Sequence, residues 1–189
     1  MAFTAECSLQ SIAPYSSGRH YTTPEKLPKE SADAYDKRTW RERMHYDEQG
    51  MVFIPNMAFK WMMTDISKFL GNKIPGKRNA TYGKHFESGI LVLEGMPLGI
   101  DRMDVIGETL FVPADGKHGS GSRVDRIFPL IPEWKGKVTF YILDRVITRE
   151  VFEEHLTEAG RFMGLGRWRP QRGGTYGRFK VVKVIWSED

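Results

Sequence analysis

The sequence is short of the residues that most metal and redox chemistry requires. It has one cysteine, Cys7, so neither an internal disulfide nor a multi-cysteine zinc site can form. Its five histidines, His20, His45, His85, His118 and His155, are scattered, and no HExxH or comparable ligand spacing occurs. A GxxxxGK[ST] phosphate loop is absent, and Gly164-x-Gly166 lacks the later glycine of a dinucleotide fingerprint. No carboxylate cluster suits two-metal hydrolysis, and among Asp33, Asp36 and Asp47 of the polar stretch nothing singles out one as a catalyst. No apolar run approaches the ~20 residues of a membrane span, and "MAFTAECSLQ" has no basic region followed by an apolar one. The expectation is a cytoplasmic chain with no metal, no cofactor and no membrane attachment.

What is present is a large aromatic complement and a segregated positive charge. Eleven Phe, seven Tyr and five Trp, with 40% hydrophobic residues overall, suffice for a real core. The length of 189 residues suggests one domain. Net charge is only +4, yet seven Lys/Arg and no acid fall between Arg161 and Lys183. Such localisation matters more than the total when the partner is a polyanion.

The densest part is "GLGRWRPQRGGTYGRF", residues 164–179. Arg167, Arg169, Arg172 and Arg178 are suited to bidentate phosphate contacts. Gly166, Gly173 and Gly174 permit close backbone approach, and Trp168 and Tyr176 are suited to stacking on bases or on arginines. A solvated loop with inward-packed aromatics is the competing reading.

Hydrophobic periodicity places this loop in a fold. Residues 2–12 alternate apolar and polar as a half-buried strand. A polar excursion follows over 14–50, with a short helix expected at 35–46. "NMAFKWMMTDISKFL" (56–70) reads as a helix capped by Asn56, with Phe59, Met62, Met63, Ile66, Phe69 and Leu70 inward and Gly71 as its left-handed stop. A basic loop (72–85) leads to "GILVLEG" (89–95), expected as a strand buried on both faces. "GETLFVP" (107–113) is a further strand, followed by a loop over 114–126. "KVTFYILDRV" (137–146) is a strand, and Thr148 caps a helix over 149–159 that Gly160 ends. His155 falls on the inner face of that helix as a core histidine. A last strand covers 178–186. The core order is βαββαβ, an α+β, ferredoxin-like (RRM-like) antiparallel sheet with helices on one face, carrying long insertions at about 13–54 and 96–136.

Three stretches carry a family likeness. Gly50 with "FIPNMAFK" (53–60) resembles the G-x-x-x-IP-G-S-S-x-K-G signature of the RAMP superfamily of CRISPR RNA-binding proteins. "GLGRWRPQRGGTYGRFKV" resembles the superfamily's C-terminal glycine-rich loop, and "LQSIAPYSSGRHY" is similar to its first strand and following loop. Within the superfamily the likeness is greatest to backbone subunits that polymerise along a guide RNA. Asn56 and Met57 stand where small residues are usual, and Trp61 replaces the glycine after the lysine.

The resemblance implies one RAMP-like domain over 1–189, with Lys60, Arg167, Arg169, Arg172 and Arg178 at an RNA-facing surface. Lys77 and Arg78, and Arg123 and Arg126 after the thumb-like "GKHGSGS", extend that surface unless they are plain solvated charge. The reading is a single-stranded nucleic-acid-binding protein, RNA before DNA, that assembles as a homo-oligomer or in a multi-protein ribonucleoprotein complex. Two alternatives stand beside it. One is a metal-independent endoribonuclease with His20 as general base. The other is a phage or mobile-element interaction (anti-defence) protein whose arginine loop meets an acidic protein.

Overall fold

The computed structural model describes residues 3–20, 24–114 and 121–188. Strand β1 (Phe3–Ser11) buries Ala5, Cys7 and Leu9 almost completely, as its alternation requires. It pairs antiparallel with both β7 (Lys135–Ile142) and β8 (Phe179–Glu188). The short β3 (Ile90–Leu91) joins the far side of β7, giving the order β3-β7-β1-β8. Helix α2 (Asn56–Leu70) lies between β1 and β3 in the chain, and α4 (Arg149–Phe162) between β7 and β8. These six elements run βαββαβ, with the first and third strands central: the ferredoxin-like arrangement expected from the sequence. Phe140 of β7 meets Phe59 of α2 edge-on at 6.2 Å and Phe152 of α4 at 5.2 Å. Both helices therefore cover one face of the sheet.

The helices differ from expectation in instructive details. Gly71 ends α2 with φ 60°, as foreseen, but Pro55 occupies the N-cap. Asn56 instead donates its amide to the carbonyls of Val92 (3.0 Å) and Leu93 (3.2 Å), tying the helix start to the chain beyond β3. Phe69 is not inward: it is exposed and lies 5.6 Å from the ring of Phe162. Gly160 does not end α4, which continues to Phe162. A Cβ there would sit 2.3 Å from the Phe179 carbonyl, so Gly160 serves the close approach of the helix to the start of β8. His155 is a core histidine, 2.7 Å from the Val151 carbonyl through Nδ1 and stacked on Phe86, with Nε2 unpartnered. Burial holds its pKa below the ordinary histidine value.

The strand expected at 89–95 is only two residues long, and Ile90 and Val92 are buried while Leu91 and Leu93 are exposed. It therefore has one buried face rather than two. The strand expected to reach 146 stops at Ile142, and the basic loop passes into α3 (Gly83–Gly89). The polar excursions hold more structure than their composition suggests. The first contains α1 (Ala32–Thr39), a 3-10 turn at Trp40–Arg43 in place of a helix over 35–46, and β2 (Met51–Ile54). β2 pairs with β4 (Met96–Asp101), and β5 (Ile106–Pro113) pairs with β6 (Arg123–Leu130) as a hairpin. Residues 123–126, expected in a loop, are thus the start of a strand.

A buried ion pair fastens the first excursion to this hairpin. Asp36, only 4% exposed, accepts from Arg43 at 2.7 Å and from the Ile127 backbone N–H at 2.7 Å. Arg43 also donates to the Ile127 carbonyl. Among the described residues no helix is long and apolar enough to cross a membrane.

Candidate nucleic-acid interface

The loop after β1 and the loop after α4 meet because both leave the same end of the sheet. Gly166 has φ 76°, and a Cβ on it would lie 2.4 Å from the Ser16 carbonyl, which accepts from Arg167 N–H at 2.8 Å. Gly177, with φ 71°, similarly presses on Leu165, whose N–H donates to the Gly177 carbonyl at 3.1 Å. The N–H groups of Gly173 and Gly174 donate to Pro170 and Arg169. Gly166 and Gly177 therefore let the loop fold on itself and onto the loop after β1, and the N–H groups of Gly173 and Gly174 are already bonded within the loop.

Between these loops and the N-terminal half of α2 lies a cleft of about 670 Å³. Tyr15, Arg19 and His20 line it from the first loop, His45 from the polar excursion, and Met57, Trp61 and Asp65 from α2. Gly166, Arg167, Arg169 and Gln171 close it from the glycine-arginine loop. Of the residues the sequence singled out, the structure brings His20, Gly166, Arg167 and Arg169 to one place; the sequence assigned no site role to Arg19, His45, Met57 and Trp61. The signals for these were the "GRH" triplet and the helical spacing of 57 and 61 away from the buried face.

The electrostatics of the cleft are positive and undercompensated. The Arg167 guanidinium lies 4.2 Å from the Phe128 ring centroid and 5.2 Å from that of Trp168. Desolvation first, and then the charge of Arg43, push its pKa below the ordinary arginine value. Arg169 donates to the Gly166 carbonyl and to Gln171, each at 3.0 Å, and is likewise lowered by desolvation and by Arg172. Arg19 lies 5.3 Å from the Tyr46 ring centroid. Among the described residues none of Arg19, Arg167 and Arg169 forms an ion pair. The one acid among the described residues that line the cleft, Asp65, accepts from Gln171 at 2.7 Å and partly offsets the charge of Arg169. Arginine retains its proton under such perturbation, so these charges are held partly desolvated and ready for an anion. His20 is exposed at the rim, while burial and then Arg19 lower the pKa of His45.

Other expected residues have different settings. Lys60 points away from the cleft and donates to the carbonyls of Phe86 (2.8 Å) and Glu87 (2.7 Å), closing the C-terminal turn of α3. Trp168 packs edge-on against Phe128 at 4.9 Å and Tyr176 at 6.0 Å, and the Tyr176 hydroxyl donates to Glu108 at 3.0 Å. These two rings thus join the loop to the β5–β6 hairpin. Arg172 is exposed beside the cleft, and Arg178 donates to the Arg161 carbonyl. Arg126 donates to the Ala114 carbonyl at 3.3 Å, and Arg123 is exposed at the start of β6. His118, Tyr21 and most of "GKHGSGS" lie outside the described residues. Lys77 and Arg78 are exposed, Lys77 within electrostatic range of Asp144 before α4, and neither lines the cleft.

No protein-family description matches the sequence, and no curated protein is similar to it in sequence. Solved structures are similar in fold. A chain of a Type III-B Cmr-beta assembly bound to cognate target RNA aligns with 99% of this chain at a TM-score of 0.59 and 10% identity. This chain spans 61% of that longer one. Cmr6 from Pyrococcus furiosus aligns over 96% of this chain and 99% of its own length, with TM-score 0.46 and 15% identity. A chain of a CRISPR RNA-guided surveillance complex aligns over 96% of this chain and 66% of its own, with TM-score 0.42 and 12% identity. The alignment with the Cmr-beta chain, at a TM-score above 0.5, shows a shared fold.

Proposed function

We propose that this chain binds single-stranded RNA as a subunit of a CRISPR-type ribonucleoprotein complex, and that the cleft between the two loops and α2 is where the strand lies. The observation that carries this reading is the set of partly desolvated arginines, Arg167 and Arg169 with Arg19 beside them, which form no ion pair among the described residues, Asp65 acting on Arg169 only at longer range. A phosphodiester supplies the missing charge in the bidentate geometry a guanidinium favours. Single strands suit the site because unstacked bases accompany the phosphates, whereas a duplex buries them. The fold shared with the RNA-bound Cmr-beta assembly supports the same reading. A backbone role, with copies repeating along a guide RNA in the cytoplasm, is the finer form of the proposal.

The test is purification with and without nuclease, followed by titration of the stripped protein with single-stranded RNA over a range of salt. The proposal expects co-purifying RNA and a log affinity falling linearly with log salt, at a slope of about −0.7 per phosphate contacted. A protein that emerges free of nucleic acid and shows no salt-dependent binding contradicts it.

A further inference from the structure

Phosphate chemistry leaves the apolar side of the cleft unexplained. Trp61 is 63% exposed and Met57 is 44% exposed, one helical turn apart on α2, and both line the cavity. The other four tryptophans are all engaged. Trp40 lies under Arg41, Trp134 contacts Tyr15 and Phe179, Trp168 contacts Phe128 and Tyr176, and Trp186 contacts Phe3 and Phe152. Trp61 alone has no ring, cation or hydrogen-bond partner among the described residues. An indole held out from the core on a rigid helix leaves a large apolar face in water, which is unfavourable unless something covers it.

We infer that Trp61 is a stacking platform for one unpaired base of the bound strand, with Met57 against the edge of the base and Arg167 and Arg169 on its flanking phosphates. The inference rests on the single-strand reading above and adds a base subsite to it. Charge selects this occupant over an apolar protein segment, because the wall opposite Trp61 presents Arg167 and Arg169, and the one acid among the described residues that line the cleft, Asp65, lies a turn from Trp61 on α2 and is already bonded to Gln171. The cavity of about 670 Å³ falls within the ~300–1,000 Å³ of sites that enclose a small organic group. Every base has a π-face, so the subsite is indifferent to sequence and demands only that the base be out of its stack.

Two probes separate the base from the backbone: a short fluorescent oligouridine, and an abasic phosphodiester oligomer of equal length. Trp61→Ala is expected to weaken oligouridine binding about tenfold and to leave abasic binding unchanged, while Trp61→Phe retains most of the affinity. Because Trp61 is exposed, neither variant should disturb folding, which the melting temperature checks. Quenching of tryptophan emission by oligouridine should be largely lost in Trp61→Phe. If oligouridine binds wild type and Trp61→Ala equally, or Trp61→Ala weakens both probes alike, the base subsite is wrong while strand binding stands. If neither probe binds the wild type, both readings fall.

Discussion

Replacing Arg167 and Arg169 together by alanine is expected to lower affinity for single-stranded RNA about 100-fold near ~0.1 M salt, at ~1.5 kcal/mol for each charge-assisted bond. The slope of log affinity against log salt should become shallower by about 1.4, because two phosphate contacts are lost at ~0.7 each. Affinity and slope must change together: a loss of affinity at constant slope would mean that the loop had been disordered rather than stripped of charge. Arg167 also packs on Phe128, so Arg167→Lys is the companion variant. It keeps the charge but loses the bidentate fork, and an intermediate affinity with a nearly unchanged slope is expected. Lys60→Ala should behave differently, lowering stability more than affinity, because its ammonium closes α3.

Asp36→Ala is expected to cost about 3–5 kcal/mol of stability, since it removes one partner of a buried ion pair and leaves Arg43 uncompensated. It also leaves the Ile127 N–H without its acceptor. For a chain of this size the melting temperature should fall by roughly 10 °C. RNA affinity should suffer too, because Arg43 and Arg167 lie against the same ring, Phe128, at 5.2 and 4.2 Å. Asp36→Asn keeps an acceptor for the N–H and should recover part of the loss. Calorimetric melting of the three proteins at one pH checks this. A shift for Asp36→Ala no larger than that of an ordinary surface substitution would show that the excursion is not held by this pair.

The elements legible in the sequence are those whose local pattern agrees with their tertiary role. β1 alternates because one face is buried, and α2 keeps Phe59, Met62, Met63 and Ile66 in register with the core from Asn56 to Gly71. β2, β4 and the start of β6 were less legible because pairing over long sequence distances makes them strands, not composition. α3, "GKHFESG", has two glycines in seven residues and owes its helicity to packing on α2 and to the Lys60 ammonium at its end. Gly160 was misjudged because a glycine inside a helix reads as a stop, when here it answers to the backbone of Phe179.

The site divides in the same way. Charge density marked Arg167 and Arg169, whereas Arg19, His45 and Trp61 gain meaning only when the two loops meet across α2. Asp36, one of three unremarkable acids in a polar stretch, is buried by residues 91 positions away.

The central claim is that a single strand of RNA lies in the cleft between the loop after β1, the N-terminal half of α2 and the loop after α4. Photo-crosslinking the wild-type protein to 4-thiouridine RNA, followed by mass spectrometry of the crosslinked peptides, tests it most directly. The account predicts crosslinks within residues 15–20, 57–65 and 164–172, with the signal at Trp61 lost from Trp61→Ala. Crosslinks confined to the open face of the sheet, around Lys137 and Lys183, would contradict it.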